Sequence, residues 1–104
     1  MLPRAFLREK EFDAEVKRVE KLLGDRVVRV RYSLGYDSTG DPCVKFRIVL
    51  PDSADRNARL IDWTREIRNV IEDEFRFGEH WGVNSYYRYR LQSEQETMRT
   101  PAWA

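Results

Sequence analysis

The chain has 104 residues, 41% of them apolar and 36% charged, and its 19 Lys and Arg against 18 Asp and Glu leave a formal net charge of +1. That length suits one domain, and a 12% aromatic content argues against a disordered chain. The near-cancellation of charge excludes a globally basic nucleic-acid binder, so any basic surface must arise by segregation of charge within the fold.

A single cysteine, Cys43, rules out an intrachain disulfide and fits a thiol-reducing compartment. The opening Met-Leu-Pro-Arg-Ala-Phe-Leu-Arg-Glu-Lys lacks the apolar core of a signal peptide. No run approaches the roughly 20 apolar residues of a membrane span. The expectation is a soluble, cytoplasmic protein with no membrane partner.

Phe12, Val16, Val19 and Leu23 recur at helical spacing and predict a first helix over residues 3–23, with Pro3 in its first turn and Gly24 as its stop. A hairpin follows: a strand over 27–34, a polar loop over 35–42 and a strand over 43–50. Its even-numbered residues are apolar (Val28, Val30, Tyr32, Leu34, Val44, Phe46, Ile48, Leu50), and its odd-numbered ones include Arg29, Arg31, Lys45 and Arg47. Strand side chains alternate faces, so the hairpin should have one greasy and one basic face. In the loop, Asp37 and Asp41 invite comparison with a cation site, but the calcium-loop pattern and its closing Glu are missing. The aspartates are expected to hydrogen-bond their own turn.

Pro51 breaks the second strand, and Ser53 or Asp55 is placed to cap a second helix that runs to about Phe75–Phe77, with Gly78 as the stop. Leu60, Trp63, Ile67, Val70, Ile71 and Phe75 form its buried stripe. In the connector Gly78–Gly82, Trp81 is expected to cover a core edge. His80, the only histidine, has no second ligand or nucleophile at a recognisable spacing. Ser85–Leu91 reads as a third strand, with Tyr87, Tyr89 and Leu91 on one face and Tyr86, Arg88 and Arg90 on the other. Residues 1–91 then make one domain, and the aperiodic residues 92–104 make a C-terminal tail, read as an arm or a loosely docked segment.

The order α-β-β-α-β predicts an α+β fold, a two-layer α/β sandwich with both helices on the apolar face of a three-stranded, mostly antiparallel sheet. A right-handed crossover places strand three beside strand one, in the order 2-1-3. The other face collects Arg29, Arg31, Lys45, Arg47, Arg88 and Arg90, with Val27, Val49 and Tyr86 among them and no carboxylate in the strands. Three readings of it stay open. It is a solvated face whose long side chains cover strand surface, a surface for a protein partner or self-association, or a nucleic-acid face with Tyr86 as a stacking ring. No catalytic, cofactor or metal constellation emerges, and an enzyme is not indicated.

Three stretches carry a resemblance. Tyr36-Asp-Ser-Thr-Gly-Asp-Pro42 with the following Phe-Arg-Ile-Val-Leu strand, Tyr87-Arg-Tyr-Arg-Leu-Gln-Ser-Glu-Gln95, and Pro101-Ala-Trp-Ala104 resemble a group of small uncharacterised bacterial proteins of about this length. The resemblance spans roughly Val28 to the last residue and rests on short motifs. It implies a gene paired with that of a small helical HEPN-like protein, and hence the small, antitoxin-like subunit of a two-gene toxin–antitoxin or defence unit. It also implies that the tail has a task. Trp103 becomes an anchor for a groove on its own domain or on a partner.

Overall fold

The predicted first helix folds as two pieces in the computed structural model, which describes residues 2–104. Helix α1 (Arg4–Leu7) is a single turn that buries Ala5. Arg8 then leaves helical geometry at φ −125° and ψ 49° before α2 (Glu9–Leu23) begins. Along α2, Phe12, Val16, Val19 and Leu23 are buried as the spacing predicts. Gly24, at φ 57°, ends the helix and donates its N–H to the carbonyls of Glu20 and Lys21.

Strand β1 (Arg29–Tyr36) pairs antiparallel with β2 (Pro42–Leu50), from Arg29 opposite Val49 to Tyr36 opposite Pro42. The alternation of faces holds along this ladder but inverts just before it. Val28 donates its N–H to Val49, the residue already opposite Arg29, so two residues meet one, as in a bulge. Val27 therefore joins the core, whereas the alternation had assigned that place to Val28 and the basic face to Val27.

Strand β3 (Asn84–Leu91) runs parallel to β2, with Cys43 opposite Asn84 and Leu50 opposite Leu91. The order is β1-β2-β3, not 2-1-3, and the sheet is mixed rather than mostly antiparallel. The reason lies in β2. Cys43, Val44, Phe46, Ile48, Val49 and Leu50 are each no more than 1% exposed, so this strand is buried on both faces and takes the middle. The crossover returns the chain to the free side of β2, next to the strand it has just left.

The crossover begins with 3₁₀ turns over Asp52–Ala58 and continues as α3 (Leu60–Phe75). Neither Ser53 nor Asp55 caps α3, which starts later than the sequence suggests and has no side-chain cap. Ile67, Ile71 and Phe75 are buried, with Leu60, Trp63 and Val70 packed against the core. The stop is Arg76, left-handed at φ 51°, not Gly78. Ending there turns Phe77 inward to stack on Phe75 at 4.8 Å. One wide turn, Phe77–Trp81, leads to Gly82 at φ 67°, where an added Cβ would lie 3.2 Å from that of Pro3. Only glycine suits both conditions.

Helices α2 and α3 pack on the even face of β1 and β2 and the Tyr87–Tyr89 face of β3, closing a core in which Phe12, Phe46, Phe75, Phe77 and Trp81 meet. Residues 92–104 do not form a loose arm. Helix α4 (Gln92–Met98) and a 3₁₀ turn, Pro101–Trp103, pack on the opposite face as a partial third layer. The Glu94 carboxylate accepts the N–H of Leu91, and Ser93 donates its N–H to Asp52.

Edge strand β1 is guarded at one point. The outward N–H of Val30 is taken by the half-buried carboxylate of Glu20 at 2.6 Å, which blunts the edge against pairing with another chain. Glu20→Ala is expected to cost about 1–2 kcal/mol in urea unfolding, the usual worth of a charge-assisted bond to a partly buried donor. A loss within about 0.3 kcal/mol would show that water replaces the carboxylate without penalty.

Candidate interaction face

The strand register sets the second face in rows. Arg31, Arg47 and Arg88 stand opposite one another across the sheet, Arg29, Val49 and Arg90 make the next row, and Ser33, Lys45 and Tyr86 the row beyond. Like charges placed directly opposite destabilise a sheet unless something neutralises or hydrogen-bonds them.

The tail does this for part of the face. Arg47 Nε donates to the carbonyl of Ala102 at 2.9 Å, Arg29 Nε to that of Trp103 at 2.7 Å, and an Arg31 guanidinium nitrogen to Ala104 O at 3.1 Å. Arg90 lies 4.3 Å from the Trp103 ring centroid in a cation–π contact. The same guanidinium donates to Gln95 Oε1 and Thr100 Oγ1, each at 2.9 Å. Gln95 is buried and passes its own amide N–H to the Thr100 carbonyl. Trp103, 5% exposed, is thereby anchored on its own domain.

The six cations expected on one patch do share a face, but the tail divides them. Arg29, Arg31, Arg47 and Arg90 are engaged by it. Arg31 also meets Glu20 at 3.7 Å, and Arg47 also donates to the Ser33 hydroxyl. Lys45 and Arg88 are exposed and, among the described residues, have neither a side-chain hydrogen bond nor an ion pair. They flank a cleft of about 440 Å³ with Arg47, Tyr86 and the edge of Trp103.

Tyr86 marks the rim of that cleft. Its hydroxyl donates to Asp37 at 2.8 Å, and this bond raises the phenol above its ordinary value. Asp37 in turn accepts the Thr39 hydroxyl at 2.7 Å, the Asp41 N–H at 2.9 Å and the Thr39 N–H at 3.0 Å. With the Thr39 hydroxyl bond as the largest influence, these donors hold its carboxyl well below the usual carboxylate range. The loop aspartate therefore bonds its own turn, as the sequence suggests, and also orients Tyr86.

With this geometry in view, the chain matches no family model, and no curated protein or solved structure matches it significantly. The face must be read from its own chemistry.

His80 is exposed on the turn after α3. Burial pushes the Cys43 thiol up, away from the thiolate that a nucleophile or metal ligand needs. Among the described residues no three His, Cys, Asp or Glu gather as metal ligands, and no helix is long and apolar enough to cross a membrane. Sequence reasoning missed Gln95, Thr100 and Glu20 as organising residues. Gln95 and Thr100 act on the face through single polar bonds, and such bonds leave no periodicity. The one available signal was Trp103, a lone large ring in a polar stretch.

Proposed function

We propose that this chain is a non-enzymatic interaction module that takes an acidic segment of a protein partner against Lys45, Arg88 and Tyr86. The observation that carries this reading is the pair of unpartnered exposed cations beside two aromatic rings, on a face whose strands contain no carboxylate. Elsewhere some surface cations are paired, Arg4 and Arg8 with Glu11, Lys17 with Asp13, Arg18 with Glu15 and Glu74, and Arg26 with Glu66. Others, such as Lys10, Lys21 and Arg56, are exposed on helices and turns and are not set beside aromatic rings on a strand face. A carboxylate between Lys45 and Arg88 would make charge-assisted bonds and relieve the repulsion along the arginine row. The motif resemblance makes a HEPN-like neighbour, with this chain as its antitoxin-like subunit, the first partner to try.

A nucleic-acid role draws less support. A backbone-tracking groove needs several free cations in line, and the tail carbonyls already occupy Arg29, Arg31 and Arg47.

Size-exclusion chromatography with light scattering, on the chain alone and mixed with the neighbouring gene's product, tests the proposal. One heavier complex is expected, weakened at least tenfold by Lys45→Glu with Arg88→Glu, with no binding of DNA or RNA at low salt. Elution unchanged by the neighbour, together with unshifted Arg88 and Lys45 resonances on adding a glutamate-rich peptide, would overturn it. So would nucleic-acid binding that the double reversal abolishes.

A further inference from the structure

Residues 99–104 lie on the sheet in the manner of a bound peptide. Of Pro101, Ala102, Trp103 and Ala104, only Trp103 is buried. Apart from the Thr100 hydroxyl, which accepts from Arg90, the rest of the hold falls on main-chain oxygens, with Arg47, Arg29 and Arg31 donating to Ala102, Trp103 and Ala104 in turn. Main-chain oxygens exist in every peptide. These three donors can therefore fix the position and direction of a segment without reading its sequence. Selection falls to the indole over the Arg90 guanidinium, in the row where Val49 is fully buried.

The seat is also separable from the fold. Trp103 lies outside the cluster of core residues between the helices and the first face. The segment leaves α4 at Arg99, which is left-handed at φ 53°, and is then held at Thr100 by Arg90 and Gln95. Lifting it would uncover Arg29, Arg31, Arg47 and Arg90 without opening the aromatic core.

We infer that this half of the face is a peptide-binding groove whose resident occupant is the chain's own residues 99–104, and that it accepts in trans a tryptophan-bearing segment of another protein. The inference goes beyond the acidic-partner reading. Its assay contains no acidic partner, so either can fail without the other.

The probe is a fluorescein-labelled peptide of residues 99–104, followed by fluorescence anisotropy. The full chain carrying Trp103→Ala should bind it at least tenfold more tightly than the unaltered chain, whose own tail competes. Adding Arg90→Gln should weaken that binding at least tenfold, and a peptide with alanine in place of tryptophan should not bind. Absence of saturable binding to a Trp103→Ala chain of unchanged circular dichroism would overturn the inference. Hydrogen exchange on the unaltered chain decides the matter even if that variant misfolds. The Trp103 N–H, bonded to the Thr100 carbonyl at 3.1 Å, should exchange at least a hundredfold faster than the amides of β2. Equal rates would mean that the segment leaves only when the whole domain unfolds, and the groove would then be no binding site.

Discussion

Phe12→Ala is expected to lower stability by about 3–5 kcal/mol, the usual cost of removing a fully buried phenyl ring and leaving a cavity. The ring is 0% exposed. It meets four rings from three parts of the fold: Tyr32 on β1 at 5.2 Å, Phe75 on α3 at 5.3 Å, and, on the turn after α3, Phe77 at 6.5 Å and Trp81 edge-on at 5.0 Å. These partners come from different segments, so no single movement of one element refills the space. A domain with roughly 5–15 kcal/mol to spare loses a large fraction of it. Urea unfolding followed by tryptophan fluorescence should show a lower midpoint at an unchanged slope. Ile61→Ala, on the outer face of α3 at 71% exposed, should stay within about 0.5 kcal/mol. A Phe12 loss as small as that control would mean that α2 and α3 do not share one core.

Phe12 also shows which features a sequence displays. Its spacing to Val16, Val19 and Leu23 declares a buried helical face, and the period-two pattern of β1 and β2 declares a two-faced hairpin. Both are local repetitions, and both reappear in the fold. Strand order is not local. The clue to it was Cys43 and Val49, apolar residues on the basic side of β2, which mark a strand covered on both faces. Taken one at a time they look like scattered exceptions. The end of α3 misled for another reason. Gly78 suits a helix stop, yet the chain turns at Arg76 because burying Phe77 against Phe75 outweighs the cost of a left-handed arginine.

The candidate face was half legible. Alternation alone placed six cations together. It could not show which were already engaged, because the tail is held through carbonyl oxygens that leave no mark in a sequence. The division matters for function. Four arginines hold the chain's own tail, whereas Lys45 and Arg88 are left without side-chain partners, and the two proposals rest on different halves of the face. A net charge of +1 hides both.

Raising the pH is expected to unfold the chain through its tyrosines. Burial, helped by a bond from the hydroxyl to Asp13 at 3.1 Å, pushes Tyr32 up to about 12. Burial likewise pushes Tyr89 up to about 12. Tyr87 goes higher still, again chiefly by burial, with its hydroxyl donating to Glu72 at 2.8 Å so that ionisation would set two negative charges together. In the unfolded chain these phenols titrate near 10. Between that value and the folded ones, the unfolded state releases protons that the native state keeps. Stability from these groups is therefore complete below about pH 10 and drains away as the pH rises through about 12. Each phenol adds at most about 1.4 kcal/mol per pH unit, and Tyr32 and Tyr89 add less because water reaches them. A fall of about 2–4 kcal/mol across this window is expected. Absorbance at 295 nm should show one group of phenols ionising only as near-ultraviolet circular dichroism collapses. Tyr87→Phe should move that collapse to higher pH, at a cost of about 1 kcal/mol at neutral pH for the lost bond to Glu72. Complete ionisation of every tyrosine below pH 11 with the near-ultraviolet signal intact would show that Tyr32, Tyr87 and Tyr89 are not held between the helices and the sheet.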